Sequence, residues 1–272
     1  YGVPWVMGTR ALFFNRKLFR DAGLDDQTAP DTWPRLMTAV KAIHNEKEGR
    51  YGYGRNTGER YILFKKVMPF VWSNEGDVLT PDATKSAINS PGNVDALQFY
   101  LDLGPYSLTE KQDILDQAFK QGKIGALISG AWLLKTIPAD APDLEYGVGL
   151  VPRPDDHWGT QKSFGGGELL VVFRTSKNVD AALKLAAFLA RADNALALSR
   201  AAKAVQPAAK GLEDDPYFKD NPGELVFLQQ LSLAVFPPNI SKWSDVEAGV
   251  EKWVEKAMHG EVSAANALAE AD

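Results

Sequence analysis

Apolar and polar positions alternate along this chain with two different periods, which predicts helices interleaved with short strands. Apolar residues recur at helical spacing in eight stretches, 32–43, 59–73, 90–101, 110–121, 179–190, 194–203, 224–235 and 243–259. Short apolar or alternating runs predict strands at 11–14, 51–55, 122–130, 146–152 and 168–173. Thr32 and Ser90 are each followed within two residues by proline, a pattern typical of helix starts. The order of elements predicts an α/β fold.

The stretch 162–178 carries the first indication of a binding site. Gly165, Gly166 and Gly167 are poor formers of helix or strand, but glycine lets a backbone come close to a ligand. Residues 168–173 then predict a strand buried on both faces, and a helix follows. In open α/β sheets ligands lie at the ends of strands, which favours 164–168 as a binding floor. A glycine-rich hairpin loop without function explains this segment equally well.

Trp132 is the single residue that most clearly indicates binding. It follows the predicted strand 122–130 directly, where a helix is expected to begin. An aromatic ring at the carboxyl end of such a strand, next to glycines, points into the ligand crevice of an α/β sheet.

Other tryptophans also stand at the ends of predicted elements with polar residues beside them. This set comprises Trp5, Trp72, Trp132 and Trp243, accompanied by Thr9, Arg10 and Glu168. A pyranose has apolar faces that stack on indole and hydroxyl edges that bind carboxylates, guanidinium groups and amides, so the set favours a sugar site. We expect Trp132 and Trp243 to meet across a gap bordered by the triple glycine. Arg10 is also consistent with an ion-paired surface residue, and Trp72 with either core or cleft.

Composition excludes several classes of protein. The chain of 272 residues has 35 acidic and 30 basic residues without a basic cluster, so we expect no nucleic-acid partner. It has no cysteine, which excludes disulfides, thiolate metal sites and cysteine nucleophiles. No nucleotide-binding loop, nucleophile elbow or metal-spaced ligand set is present, so we expect neither cofactor nor metal. A glycosidase would need paired carboxylates, for which Glu59, Asp77 and Glu168 qualify by type alone.

Several segments, in order, resemble the extracellular solute-binding proteins of bacterial ABC importers, in the maltose-binding-protein-like group. They are YGVPW…LFFNRKLFRDAGLD…TWPRL, FVWSNEGDVL…INSPGNVDALQFYLDL, AFKQGKIGALISGAW, FGGGELLVVFRTSKN, DDPYFKDNP and PPNISKW…EKAMHGEVSAANAL. Each segment alone is weakly specific, but the ordered set covers essentially the whole chain.

The resemblance implies a two-lobed periplasmic-binding-protein fold of type II-like topology. It places hinge crossings at 1–9 and 236–240, the C-terminal lobe at 10–150 and 241–272, and the remaining part of the N-terminal lobe at 151–235. Carried over by position, the ligand-binding residues are Trp5, Gly8, Thr9, Arg10, Glu59, Trp72, Trp132, Gly165, Gly166, Gly167, Glu168 and Trp243. Many sugar-binding relatives have an aspartate where Gly8 stands, so one hydroxyl contact of those relatives is in question here.

Relative to the family, this sequence starts at the first hinge crossing. We therefore expect it to be part of a longer protein whose N-terminal lobe is incomplete here, with an apolar face left uncovered. The resemblance implies a periplasmic or extracellular location, with lipid anchoring through the missing N-terminal segment as one form.

Three functions follow from the residues and the resemblance. The first is a monomeric binding protein, without catalysis, that delivers a mono- or oligosaccharide to the membrane permease subunits of an ABC importer. The second binds an anionic ligand such as glycerol phosphate or a uronic acid through Arg10 and the glycine amides. The third is a carboxylate-pair glycosidase.

Overall fold

One long strand, β1 (Gly2–Asn15), organises the protein in a computed structural model that describes residues 2–209 and 211–272. The other strands are β2 (Tyr51–Asn56), β3 (Ser107–Glu110), β4 (Ile124–Gly130), β5 (Tyr146–Gly149), β6 (Ser163–Val171), β7 (Gln206–Pro207) and β8 (Ala234–Val235). They lie in the order β3-β2-β4-β1-β6-β8, and β5 and β7 also pair with β1. The predicted strand at 11–14 is thus the end of a much longer one.

β1 changes its partner half-way along its length. Residues 2–9 pair antiparallel with β6, whereas residues 10–14 pair antiparallel with β4, and its last residues also pair with β5. The change falls between Thr9 and Arg10, the position of the predicted boundary between the first hinge crossing and the C-terminal lobe. That the two sides move as separate bodies stays a prediction.

Twelve α-helices surround the sheet in the described ranges. They are α1 (Arg16–Asp21), α2 (Trp33–Ile43), α3 (Leu63–Ser73), α4 (Pro91–Asp102), α5 (Gln112–Lys120), α6 (Trp132–Asp140), α7 (Val179–Leu189), α8 (Ala192–Ala202), α9 (Pro216–Asp220), α10 (Pro222–Ser232), α11 (Trp243–Met258) and α12 (Ala264–Ala271). The predicted proline starts of α2 and α4 are confirmed, and Ser90 caps α4 by accepting from the amide of Asn93. None of the described helices is both long and apolar enough to cross a membrane.

The buried part of β1 supplies two cores, one on each face of the sheet. Successive side chains of a strand point to opposite faces. Leu12 and Phe14 therefore pack into the larger core, with α2, α3, α4, α11 and α12, while Ala11 and Phe13 pack into a second core with α5, α6 and α10. We call residues 10–150 and 241–272 the large lobe, and residues 163–235 the small lobe.

The small lobe corrects two predictions about the glycine-rich segment. Gly165, Gly166 and Gly167 lie inside β6, not in a loop that precedes it. The strand that we expected to be buried on both faces is largely exposed, since Leu169 and Val171 retain 58% and 53% of their accessible surface. The apolar run indicates a strand correctly, but in the described structure little packs against its second half.

Candidate ligand-binding site

The carboxyl ends of the parallel strands of the large lobe meet at one edge of the sheet. β2 runs parallel to both β3 and β4, so Asn56, Glu110 and Gly130 end side by side. The antiparallel β1 brings Arg10 to the same edge, where it lies opposite Gly130. In α/β proteins this edge is where ligands bind.

Trp132 begins helix α6 at this edge, and three neighbours hold its half-buried indole. The indole Nε1–H donates to Oδ2 of Asp116 over 2.7 Å. The guanidinium carbon of Arg10 lies 4.7 Å from the ring centroid, in cation–π geometry. Gly130 makes room for the ring, because a Cβ at that position would come within 1.9 Å of it. The orientation of the ring is therefore set before any ligand arrives.

Asp116 is the centre of a small polar network that we did not predict. Its Oδ1 accepts from Gln112 Nε2 at 2.7 Å and from Ser129 Oγ at 3.0 Å, so both of its oxygens are occupied. Asp116 is buried, with 8% of its surface exposed. One signal was present in the sequence, since Asp116 stands between Leu115 and Ala118 on the buried face of α5, where a charged residue is rarely found without a specific partner.

Glu59 lies in the turn that precedes α3, four residues before the helix begins, although we predicted helix from this residue onward. Its Oε2 accepts from Asn56 Nδ2 and from the amide of Gln112, each at 2.6 Å. Glu59 thereby joins the end of β2 to the start of α5. Two residues later Tyr61 has a φ of 67°, a strained conformation for a residue with a side chain, which is characteristic of functional loops.

Both cations and anions lie near this edge. Lys66 is 3% exposed, and its ammonium donates to the carbonyl of Ile128 at 2.5 Å. Burial lowers the pKa of Lys66 well below its usual value, as does Arg10, while Asp116 and Glu59 oppose the shift. Burial also lowers the pKa of Arg10 to about 10, against the influence of Asp116, so this guanidinium stays charged at neutral pH. No group of three or more histidine or acidic side chains is arranged to hold a metal ion in the described ranges.

The other predicted residues of β1 have mixed surroundings. Thr9 is buried, and its hydroxyl donates to the carbonyl of Phe164 at 2.7 Å, so that it fastens β1 to β6. Gly8 borders open space, since a Cβ there would meet no atom within 4 Å. Trp5 is half-buried at the point where the register of β1 against β6 shifts.

The three glycines and Glu168 face β1 across the antiparallel ladder, with Gly165 opposite Thr9 and Glu168 opposite Val6. A Cβ on Gly165 would come within 2.8 Å of the Phe236 ring, and one on Gly167 within 2.6 Å of the carbonyl oxygen of Val6. The glycines therefore allow close approach of neighbouring segments of the protein, which explains why they occupy a strand. Glu168 is exposed.

Trp72 and Trp243 share a neighbour, Phe64, and a cavity. Trp72 is 2% exposed and packs edge-on against Phe64, as does the half-buried Trp243 at a centroid distance of 5.7 Å. Both line a cavity of about 150 Å³ beside residues 235–238, and Trp132 is not part of its lining. The structure thus groups Trp132 with Arg10, and Trp243 with Trp72. The expected meeting of Trp132 and Trp243 across one gap stays a prediction.

The sequence profile of one family, described as bacterial extracellular solute-binding protein, matches residues 1–225. Among curated proteins, a binding protein of Brucella abortus (strain 2308) is 28% identical over 256 residues, covering 90% of this chain and 60% of the relative. The galactooligosaccharide-binding protein of Bacillus subtilis is 25% identical over 288 residues, covering 100% of this chain and 64% of the relative. The chain therefore spans about 60% of the length of these relatives.

Two solved structures resemble the fold over nearly the whole chain. A solute-binding protein of an ABC transporter from Thermotoga lettingae, bound to α-D-tagatose, matches with a TM-score of 0.84 and 28% identity, covering 100% of this chain and 70% of that one. The cyclic α-maltosyl-1,6-maltose binding protein of Arthrobacter globiformis matches with a TM-score of 0.85 and 28% identity, covering 99% and 70%. The predicted two-lobed α/β fold is confirmed.

Proposed function

Because the chain belongs to the family of bacterial extracellular solute-binding proteins, we propose that it binds a carbohydrate where Arg10 meets Trp132 and delivers it to the membrane permease of an ABC importer. The protein acts outside the cytoplasmic membrane, in the periplasm or at the cell surface, and it performs no catalysis. The relatives and structures that it resembles are themselves binding proteins.

The observation that carries this proposal is the fixed orientation of the Trp132 indole at the ligand edge of the sheet. A sugar ring stacks on indole through its C–H face, and a ring already held by hydrogen bonding and packing loses little entropy on binding. Covering ~50–100 Å² of apolar surface would contribute about 1–3 kcal/mol before ordering costs. Arg10, which lies against the same ring, offers N–H groups for the hydroxyl edge.

The charge balance favours a neutral sugar over an anion. Asp116 acts on both Arg10 and Lys66, Glu59 acts on Lys66, and the third cation nearby, Lys65, is accompanied by Glu247 and Glu251. An anionic ligand would have to compete with these carboxylates. Some relatives support the anionic alternative, since the sn-glycerol-3-phosphate-binding periplasmic proteins of Agrobacterium fabrum and Brucella abortus are 28% identical, but over 62% of this chain and 39% and 40% of the relatives.

The proposal is tested by isothermal titration calorimetry with α-D-tagatose, galactobiose, maltotriose, D-galacturonate and sn-glycerol 3-phosphate. We expect at least one neutral sugar to bind and Trp132→Ala to weaken that binding by ~10-fold or more. Trp158→Ala removes an indole that is 55% exposed and serves as the control, with no change expected. Absence of heat with every neutral sugar would overturn the carbohydrate proposal.

The same titrations distinguish the alternatives. The anionic alternative gains if Arg10→Ala abolishes binding of glycerol phosphate or galacturonate while Trp132→Ala leaves it intact. The glycosidase alternative has little structural support, because Oε2 of Glu59 already accepts two hydrogen bonds at 2.6 Å. Incubation with chromogenic glycosides between pH 4 and 8 tests it, and we expect no release of chromophore.

A further inference from the structure

Asp116 is a buried carboxylate at this edge that contacts the predicted stacking ring. Its Oδ2 receives the Trp132 Nε1–H at 2.7 Å, and the Arg10 guanidinium lies over the same ring. One side chain therefore orients the indole and also compensates the cation above it. The two effects are separable, because the first needs only a hydrogen-bond acceptor whereas the second needs a negative charge.

We propose that Asp116 is a positioning residue that also determines specificity, holding Trp132 for stacking and neutralising Arg10 so that the site accepts neutral sugars and rejects anions. This inference rests on the proposed function, since it concerns the ligand of the same site. Asp116 acts through Trp132 and Arg10, and it need not touch the ligand.

The surroundings of Asp116 fit this role better than a purely structural one. A buried carboxylate is costly unless it is paired and hydrogen-bonded, and Asp116 has three donors around its two oxygens. In the described structure the Arg10 guanidinium makes one hydrogen bond, from Nη1 to the backbone carbonyl of Thr9 at 3.1 Å. The guanidinium therefore has no carboxylate in direct hydrogen bond, and Asp116 compensates it through space. An anion entering the site would otherwise meet an uncompensated cation.

Two substitutions separate the two roles. Asp116→Asn removes the charge while keeping an oxygen that can accept from the indole, whereas Asp116→Leu removes both. Asp113→Asn removes an equal charge from the exposed side of the same helix, α5, and is the matched control. The probes are the neutral sugars α-D-tagatose, galactobiose and maltotriose, and the anions D-galacturonate and sn-glycerol 3-phosphate.

We expect Asp116→Asn to shift the ratio of anion affinity to neutral-sugar affinity toward anions by about tenfold, because a compensating charge close to Arg10 is lost. The near-UV circular dichroism of Trp132, obtained by subtracting the spectrum of Trp132→Phe, should change little in Asp116→Asn. In Asp116→Leu that signal should be lost and neutral-sugar affinity should fall. Asp113→Asn should change neither the affinity ratio nor the spectrum.

The outcomes distinguish this inference from the proposed function. If the unmodified protein binds none of the neutral sugars, the proposed function fails. If it binds one but Asp116→Asn leaves the affinity ratio unchanged, or lowers every affinity in proportion to a loss of thermal stability, Asp116 has only a structural role. The inference would also be overturned if Asp116→Leu retained both the Trp132 signal and full affinity.

Discussion

Helices α3 and α7 are both eleven-residue apolar helices, yet their environments are opposite. Every residue of α3 except Lys65 is buried, because it lies between the sheet and helices α4 and α11. No residue of α7 is buried, and its Leu183, Leu185 and Phe188 are each more than half exposed. Apolar periodicity predicts the type of element in both cases, but burial requires a neighbour that covers it.

Strands β4 and β6 repeat the contrast. All seven residues of β4 are buried, and it has β2 on one side and β1 on the other. β6 is covered only at its start, since its pairing with β8 ends at Phe164, and in the described ranges its later residues pair only with β1. An apolar strand with a free edge is a site at which further polypeptide can pair. The large lobe therefore buries the apolar positions of its own strand and helix, whereas the small lobe leaves many of its apolar positions exposed.

The two lobes are expected to differ most in the free energy of unfolding that is lost when an aromatic ring is removed. Phe70 is fully buried against Trp33, Phe99 and Tyr100, so Phe70→Ala should lower the free energy of unfolding by ~3–5 kcal/mol. Phe188→Ala removes a ring that is 55% exposed and should change it by less than about 0.5 kcal/mol. Urea denaturation followed by circular dichroism measures both. Equal losses would show that α7 is covered in solution.

A smaller difference is expected from adding a methyl group to buried glycines. A Cβ on Gly52 would lie 2.1 Å from the carbonyl oxygen of Val40, a backbone atom that moves with difficulty, so Gly52→Ala should cost about 1–3 kcal/mol. On Gly165 the nearest atoms are the Phe236 ring, which is 45% exposed and able to move, and the Cβ of Ala234 at 2.9 Å in the two-residue strand β8, so the cost should be lower than at Gly52.

The control for these glycine variants is Gly249→Ala. Gly249 lies inside α11, and a Cβ there would meet no atom within 4 Å. Because alanine is the better helix former, this variant should gain about 0.5–1 kcal/mol. Thermal unfolding ranks the three variants, and a Gly165→Ala loss as large as that of Gly52→Ala would contradict the idea that the small lobe is the more adaptable.

The smallest expected effect is on the pH dependence of stability, and it involves one buried glutamate in each lobe. Burial raises the pKa of Glu247 in the large lobe and of Glu224 in the small lobe. A raised pKa means that the folded state binds the proton more tightly than the unfolded state does. This stabilisation of the folded protein is fully present below the unfolded pKa, near 4.5, and is lost as pH rises through the folded pKa. Glu247→Gln and Glu224→Gln should therefore match the unmodified protein near pH 4 and exceed its stability near pH 7.

Melting temperatures at several pH values test this expectation. If only Glu247→Gln shows the pH-dependent gain in stability, Glu224 of the small lobe is more hydrated in solution than in the described structure, and the two lobes differ in this respect too. If neither variant becomes more stable relative to the unmodified protein between pH 4 and pH 7, the pKa values of Glu247 and Glu224 are not raised in the folded state.

Local sequence was sufficient to predict much of the fold. The buried strand that ends at Gly130, the helix start at Trp132 and the long helix from Trp243 are confirmed, because turn residues and apolar period act over a few neighbours. The triple glycine was misread for the opposite reason. Its place in β6 depends on Phe236 and Val6, which are distant in sequence.

The candidate site was predictable only in part. Trp132 and Arg10 were identified separately, but their contact could not be inferred, since it arises from the register of β1 against β4. Asp116 and Lys66 were overlooked because helical spacing predicts which face of a helix is buried but not which residues contact that face. The ligand-binding roles of Trp5, Trp72 and Trp243 stay predictions.

By itself, the sequence determined the types and order of the elements and the family to which the chain belongs, because these depend on short-range period, capping and motif order. The tertiary structure decided which apolar surfaces are covered, which charges compensate one another and which rings share a site. These properties depend on contacts between residues that are far apart in the chain, and no local pattern encodes the partner.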